Sequence, residues 1–217
     1  MINGINSREM ILEILLEIEE GEHSHVAIRN ALSKYQFLPK QDRAFITRVC
    51  EGTLEYRIQI DYIINSFSKV TVDKMKPAIR EILRSAVYQL KYMDSVPDSA
   101  VCNEAVKLAQ RKGFYNLKPF VNGVLRTIAR EMDQVRFPQK EDDLLKYLSV
   151  KYSMPEVLVT RWLEAYGEET TEKILADFLT EHPLTIRCRT YLNSKEEIVK
   201  SLESQGVHVA PAPYLPY

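Results

Sequence analysis

The sequence predicts a mainly α-helical protein: a seven-helix bundle, then a small helical segment that ends in a strand–helix–strand unit. Apolar residues recur every three or four positions through the first 130 residues, and only short loops interrupt them. Strand-like alternation is confined to LTIRCRT (184–190) and VHVAP (207–211). With 217 residues, 45% of them hydrophobic, the chain has enough apolar side chains for one or two ordinary domains.

Five helices are predicted before residue 95. Apolar spacing marks the first at 10–18, the second at 26–32 and the fourth at 60–67. Pro39 and Pro77 stand where a first helical turn accepts proline, and they open the third and fifth helices. Because the connections are short, these helices should pack side by side in one bundle.

The sixth and seventh helices form a predicted hairpin over residues 96–131. Gly113 ends the sixth helix, and Pro119 lies in the first turn of the seventh. No acidic residue occurs between Glu104 and Glu131, whereas six basic residues lie there: Lys107, Arg111, Lys112, Lys118, Arg126 and Arg130. A helix pair that is apolar on one side and basic on the other favours a polyanion. A merely solvated basic face is the alternative.

A boundary is predicted at residues 131–141, which divides the chain into domains at 1–133 and 141–217. Helices are expected at about 142–152, 155–166 and 169–181, and Ser194 with Glu197 forms a capping box for a further helix. The two flanking strands make a pair that is marginally stable alone. This end is therefore expected to be poorly ordered, to pack on the preceding helices, or to pair with another molecule.

Charge is distributed unevenly, although the net charge is only −1. Residues 1–130 contain 19 Lys and Arg against 15 Asp and Glu, whereas residues 131–217 contain 10 against 15. The first helix is acidic, with Glu9, Glu13 and Glu17 before three more glutamates. Because this helix repels phosphate, any RNA should lie on another face. The glutamates form either a solubilising surface or a site for a protein partner.

Three basic stripes are candidates for RNA binding. Lys118, Asn122, Arg126 and Arg130 recur every four residues on the seventh helix; Lys76, Arg80, Arg84 and Tyr88 do so on the fifth; Lys40 and Arg43 lie at the start of the third. Arg111 and Lys112 complete the candidates in the hairpin. Tyr88 offers a ring for stacking on a base. Each stripe has a plainer alternative as a solvated or salt-bridged face, and Asn122 with Gly123 has one in helix packing.

Three segments resemble known families. NEAVKLA (103–109) and FVNGVLR (120–126) resemble the signature of NusB-like helical domains. PKQDRAFITRVCEGTLEYRIQIDYII (39–64) is similar to the RsmB/Sun family of bacterial ribosomal RNA cytosine-C5 methyltransferases. HPLTIRCRTYLNSKEEIVKSLESQGV (182–207) resembles the stretch that precedes the catalytic domain in those enzymes. The chain is thus identified as similar to their amino-terminal region.

This resemblance implies an RNA-binding bundle of about seven helices that delivers ribosomal RNA to a methyltransferase domain absent from this chain. That domain would bind S-adenosylmethionine and supply the catalytic cysteines. Here no G-x-G-x-x-G loop occurs, and Cys50, Cys102 and Cys188 have the pattern of buried small hydrophobes. No catalytic residue, cofactor or metal ligand is therefore predicted within the chain.

Arg187 and Arg189 lie one residue apart on a predicted strand and so share a face. Three roles are open for this pair: clamping RNA, contacting the missing methyltransferase domain, or protecting a strand edge. The sequence has neither a signal peptide nor an apolar run of membrane-spanning length, and its cysteines lack disulfide spacing. A cytoplasmic protein with no membrane partner is expected.

Two other functions are compatible with these residues. A free-standing NusB-type transcription antitermination factor would bind RNA and a ribosomal protein, but residues 132–217 exceed what such a factor needs. A helical protein-interaction module that binds no RNA is compatible with a net charge near zero. Length favours the methyltransferase interpretation over both.

Overall fold

The structure is a computed structural model that describes residues 6–180 and 183–212. Its contacts divide the chain into two compact units, one ending at Phe178 and the other beginning at Leu179. Among the described residues, the first unit contains α1 (Ser7–Glu19), α2 (Ser24–Lys34), α3 (Lys40–Glu55), α4 (Arg57–Phe67), α5 (Pro77–Tyr92), α6 (Asp98–Arg111), α7 (Lys118–Glu131), α8 (Leu144–Tyr152) and α9 (Glu156–Phe178), and the second contains α10 (Lys195–Ser204). No helix among them is both long and apolar enough to cross a membrane.

The helix boundaries follow local chemistry. Asn6 caps α1, because its side-chain oxygen accepts hydrogen bonds from the backbone N–H groups of Arg8 at 2.9 Å and Glu9 at 3.3 Å. The predicted prolines are confirmed in the first turns of α5 and α7. Gly113, with φ +85°, follows α6 in a conformation that only glycine adopts without strain.

α5 is the central helix of the bundle, because it packs against α1, α3, α4, α6 and α7. Its inner residues Ile79, Ile82 and Leu83 are almost completely buried. Cys50 and Cys102 are buried in the same core, as predicted, and burial raises the pKa of the Cys50 thiol well above its ordinary value. The predicted seven-helix bundle is confirmed.

Helix α3 crosses α5 closely at Gly52. A Cβ at this position would lie 2.1 Å from Cζ of Tyr88. The Tyr88 ring packs beside the stacked rings of Tyr56 and Tyr92, whose centroids lie 6.4 and 5.3 Å from its own. Tyr88 is only 6% exposed, so the prediction that it stacks on a base is wrong. Its ring fills the space that Gly52 leaves.

α8 packs on α4 of the bundle. Ser153 Oγ accepts from the backbone N–H of Ile58 at 3.0 Å, and Gln59 Nε2 donates to the carbonyls of Val150 at 3.1 Å and Lys151 at 3.2 Å. Residues 142–178 therefore share the bundle's compact unit, which ends at Phe178. The division into domains 1–133 and 141–217 stays a prediction.

Two helices were predicted between residues 155 and 181. They occur as the two halves of α9, which a non-helical backbone at Gly167 interrupts, with φ 73° and ψ 174°. Part of the second predicted helix, residue 181, lies outside the described residues.

α10 has the predicted capping box. Ser194 Oγ accepts from the Glu197 N–H at 3.2 Å, and the Glu197 carboxylate accepts from the Ser194 N–H at 2.9 Å. The predicted strands are wrong: residues 183–190 and 207–212 contain no strand in the described part of the chain. Alternation predicts a strand only where another strand pairs with its backbone. Here Leu184 and Ile186 are exposed.

Candidate nucleic-acid interface

The fifth-helix arginines predicted to bind RNA are turned toward acidic side chains. Arg84 donates from Nε and Nη2 to the Asp61 carboxylate at 2.7 and 2.6 Å, and from Nη1 to Glu81 at 2.5 Å. Its side chain is only 11% exposed. Burial raises the pKa of Glu81, although the Arg84 charge acts in the opposite direction. Arg84 is therefore a structural cation whose charge is already neutralised.

Arg80 and Lys76 complete this stripe. Arg80 forms an ion pair with Glu19 of α1 and also donates to the Val72 carbonyl at 3.2 Å. Lys76 is exposed and its Nζ lies 5.4 Å from the centroid of the Phe114 ring. Of the three predicted fifth-helix cations, only Lys76 faces solvent.

The predicted RNA contacts Lys40, Arg43 and Lys112 differ in exposure and in the groups that they bond. Lys40 is exposed at the start of α3, whereas half-buried Arg43 donates to the Leu32 carbonyl at 3.1 Å. Lys112 pairs with two carboxylates of the acidic first helix, Glu9 at 3.2 Å and Glu13 at 3.0 Å. Burial lowers the pKa of Lys112, but these hydrogen bonds outweigh it and raise the pKa above its ordinary value. The acidic helix thus neutralises one predicted RNA contact.

The seventh-helix stripe lies on the surface. Asn122, Arg126 and Arg130 are exposed on α7, and Lys118 is half-buried. Arg126 Nη2 donates to Asn103 Oδ1 of α6 at 3.2 Å, and Arg130 donates to Glu131 at 2.5 and 3.0 Å. Exposure of Asn122 argues against its alternative role in satisfying buried backbone. This stripe presents donors that can reach a phosphate.

α6 contributes a second, parallel row. Asn103, Lys107 and Arg111 are exposed at four-residue spacing. Because α6 packs on α7 and Asn103 accepts a hydrogen bond from Arg126, this row lies beside the α7 stripe. We call the two rows the α6–α7 face; its residues are Asn103, Lys107, Arg111, Lys118, Asn122, Gly123, Arg126 and Arg130.

The charges of the α6–α7 face are only partly neutralised. Lys107 pairs with Glu104 at 2.7 Å, and this hydrogen bond lowers the pKa of the Glu104 carboxyl. In the part of the chain that the structure describes, Arg111, Lys118 and Arg126 form no ion pair within 4.0 Å. These three side chains can exchange solvent for phosphate oxygens without first losing a carboxylate.

Gly123 leaves open space on this face. A Cβ there would meet nothing within 4 Å, so the glycine is not required for packing between helices. An exposed glycine inside a helix costs about 1 kcal/mol relative to alanine. Beside Asn122, it lets a ligand approach the α7 backbone closely.

Arg187 and Arg189 are exposed in the second unit, where no described strand aligns them on a common face. The salt-bridged alternative for the fifth-helix stripe is confirmed, but the partners on other helices, Asp61 and Glu19, were not predicted. Asp61 was the available signal, because it is an acid among the isoleucines of IQIDYII in the fourth helix. A charge inside an apolar stripe indicates a buried partner.

Two families match parts of the chain. Residues 5–130 match the NusB family, and residues 154–217 match the ferredoxin-like domain of RsmF/B-like methyltransferases. The probable ribosomal RNA small subunit methyltransferase B of Bacillus subtilis is 32% identical over 202 residues, which are 93% of this chain and 44% of that protein. The transcription antitermination protein NusB of Dictyoglomus thermophilum is 33% identical over 59% of this chain and 85% of that protein.

Solved structures share the fold. The crystal structure of PH0851 has a TM-score of 0.70 at 22% identity, over 98% of this chain and 48% of that one. The NusB of a NusB–NusE–dsRNA complex has a TM-score of 0.53 at 21% identity, over 57% of this chain and 93% of that one. The chain spans less than half the length of the methyltransferase relative it matches. Along the chain, the NusB match precedes the ferredoxin-like match. The chain therefore belongs to the NusB family, and its two matches have the order of the amino-terminal region of the RsmB/Sun family.

Proposed function

We propose that this chain is the RNA-binding, substrate-targeting region of a ribosomal RNA cytosine-C5 methyltransferase, and that the α6–α7 face binds the RNA. The observation that carries the proposal is the group formed by Arg111, Lys118 and Arg126, which are free of ion pairs within the described residues. Two antiparallel rows of donors match the regular spacing of charge along an RNA backbone.

The polar residues between the cations suit RNA. Asn103 and Asn122 carry amides that both donate and accept, so they can bond to base edges or to 2′-hydroxyl groups. The acidic α1 already binds two of the predicted RNA contacts through its glutamates, Arg80 and Lys112. RNA is therefore directed to one face of the bundle.

The relatives favour a methyltransferase over an antitermination factor. The B. subtilis methyltransferase B aligns with 93% of this chain, whereas the D. thermophilum NusB aligns with 59%. A NusB-fold protein is named in complex with dsRNA, which agrees with RNA as the ligand of this bundle.

S-adenosylmethionine binding and methyl transfer to C5 of cytosine are assigned to a domain outside this chain, in a cytoplasmic enzyme. Cys50 and Cys102 are buried in the helical core, where a base cannot reach a thiolate. Burial raises the pKa of both thiols, which opposes thiolate formation. The chain alone should bind RNA and methylate none.

Equilibrium binding to overlapping fragments of bacterial small-subunit ribosomal RNA tests the RNA site. The double variant Lys118→Ala/Arg126→Ala should weaken binding of the best fragment by about tenfold or more, because each change removes a charge-assisted contact. Arg161→Ala/Lys173→Ala is the matched control: it removes the same residue types from the exposed surface of α9. Equal losses in the two double variants would overturn the assignment to the α6–α7 face.

The enzymatic role is tested on native protein captured from source cells with an antibody against this chain. We expect a larger protein that transfers labelled methyl groups from S-adenosylmethionine to small-subunit ribosomal RNA. Capture of a protein no larger than this chain, with no transfer and with RNA affinity that increases when a ribosomal protein is added, would instead support an antitermination factor.

A further inference from the structure

A cavity beside α5 has hydrogen-bond donors that no group among the described residues uses. It has a volume of about 230 Å³ and lies between α1, α3, the start of α4 and α5. Nine residues line it: Leu15, Ile18, Glu19, Thr53, Leu54, Arg57, Arg80, Glu81 and Arg84. One buried water needs only about 10–15 Å³ of such space, so the cavity has room for a molecule larger than water.

Thr53 supplies the first unused donor. The residue is 1% exposed, and its hydroxyl has no hydrogen-bond partner among the described residues. Helical hydroxyls usually donate to the carbonyl four residues back, as Ser66 does to Tyr62 at 2.8 Å and Thr160 does to Glu156 at 2.9 Å. Thr53 departs from this pattern while lining the cavity. A buried hydroxyl without a partner is destabilising, so a ligand that bonds to it removes this penalty.

Two arginines supply the other donors. Arg80 is paired through its terminal nitrogens to Glu19 and the Val72 carbonyl, but its Nε is buried and unpartnered. Arg57 lines the same cavity and has no ion pair within the described residues. Both groups are donors only, because a guanidinium has no lone pair to offer.

The acids around the cavity are already bound. Glu19 pairs with Arg80, and Glu81 accepts from Arg84, which is also held by Asp61. The unused capacity of the cavity is thus made of donors: the Thr53 hydroxyl, Arg80 Nε and the Arg57 guanidinium. Their natural complement is a group with several acceptor oxygens and a negative charge.

We propose that this cavity binds a small molecule bearing a phosphate or carboxylate group, which accepts hydrogen bonds from Thr53, Arg80 and Arg57. The site is separate from the α6–α7 face and does not depend on RNA binding. Leu15, Ile18 and Leu54 provide an apolar wall for the rest of such a molecule. Binding here would connect α1, α3 and α5 and stabilise the bundle.

The probes are inorganic phosphate and acetate, titrated at constant ionic strength against chloride while the melting temperature is followed. We expect a saturable increase with at least one of them, and 31P line broadening in the phosphate arm if phosphate is preferred. Thr53→Val should weaken this binding about tenfold or more. Without probe the variant should be at least as stable as the wild type, because the change removes a buried hydroxyl without a partner and breaks no hydrogen bond.

Two control variants make the result decisive. Thr160→Val removes a helical hydroxyl outside the cavity and should leave the saturation curve unchanged. Lys118→Ala/Arg126→Ala should also leave it unchanged; loss of the response there would place the anion on the α6–α7 face and overturn the proposal. A stability that follows ionic strength alone, or a Thr53→Val curve equal to the wild type, would overturn it as well.

Discussion

Two helices of this bundle have basic residues at the same four-residue spacing, and the structure gives them opposite roles. On α5, Arg80 and Arg84 turn toward Glu19, Asp61 and Glu81 and hold neighbouring helices together. On α7, the corresponding stripe faces solvent, and its interhelical side-chain bond joins Arg126 to the neutral Asn103. Spacing shows that residues share a face, but the carboxylates on neighbouring helices decide whether that face is available to a ligand.

The largest effect should come from breaking the α5 cluster. Arg84→Ala would leave Asp61 and Glu81 without their cation, and removal of one partner from a buried charge cluster costs about 3–5 kcal/mol. Arg126→Ala on α7 should change the free energy of unfolding by less than about 0.5 kcal/mol. Urea denaturation of both variants compares the two helices directly. Similar losses would mean that the α7 stripe is structural too.

The two helical glycines give the next largest contrast. Gly52→Ala forces a methyl group into the Tyr88 ring, and such overpacking typically costs about 1–3 kcal/mol. Gly123→Ala meets open space and should stabilise α7 by about 1 kcal/mol, while weakening RNA binding if backbone approach matters. Thermal melts of both variants measure the changes in stability, and RNA titrations measure the changes in affinity. Destabilisation by Gly123→Ala would show that Gly123 has a packing role.

Stability should also depend on pH through the α5 cluster. Because the pKa of Glu81 is raised in the folded protein, its contribution is present below the ordinary glutamate pKa of about 4.3 and is lost as pH rises through the raised value. Glu81→Gln should remove this decline. Glu104, whose pKa is lowered by Lys107, should show the opposite sign, with a contribution lost on acidification. Unfolding free energies of the wild type and of Glu81→Gln at a series of pH values measure this. A wild-type pH profile in Glu81→Gln would contradict the assignment.

The smallest contrast lies between adjacent residues of the hairpin. Arg111 has no ion pair in the described residues, whereas Lys112 is held by Glu9 and Glu13. Arg111→Ala should therefore flatten the dependence of log affinity on log salt by about 0.7–0.9, and Lys112→Ala by much less. Lys112→Ala should instead cost about 0.2–1 kcal/mol of stability. Equal effects on RNA binding would show that α1 does not neutralise Lys112.

Local sequence rules predicted the bundle because its signals are local. Pro77 and Pro119 open helices, Ser194 and Glu197 cap one, and apolar spacing identifies the seven-helix core. The roles of Arg84 and Tyr88 depend on Asp61 and Gly52, which lie on other helices, so a periodicity within α5 cannot reveal them. The predicted strands were wrong for the same reason. LTIRCRT forms a strand only when another strand pairs with it, and alternation within the segment does not specify that partner. The α7 stripe and the basic residues of α6 were predictable as one hairpin surface, whereas the hydrogen bond between Arg126 and Asn103 required the structure.

The salt dependence of RNA affinity tests the central claim most directly. If Arg111, Lys118, Arg126 and Arg130 contact phosphates, the wild-type slope of log affinity against log salt should be about −3 to −4. Lys118→Ala/Arg126→Ala should flatten it by about 1.4–1.8, whereas Arg161→Ala/Lys173→Ala should leave it unchanged. A wild-type slope in the α7 double variant would contradict the claim that RNA binds at the α6–α7 face.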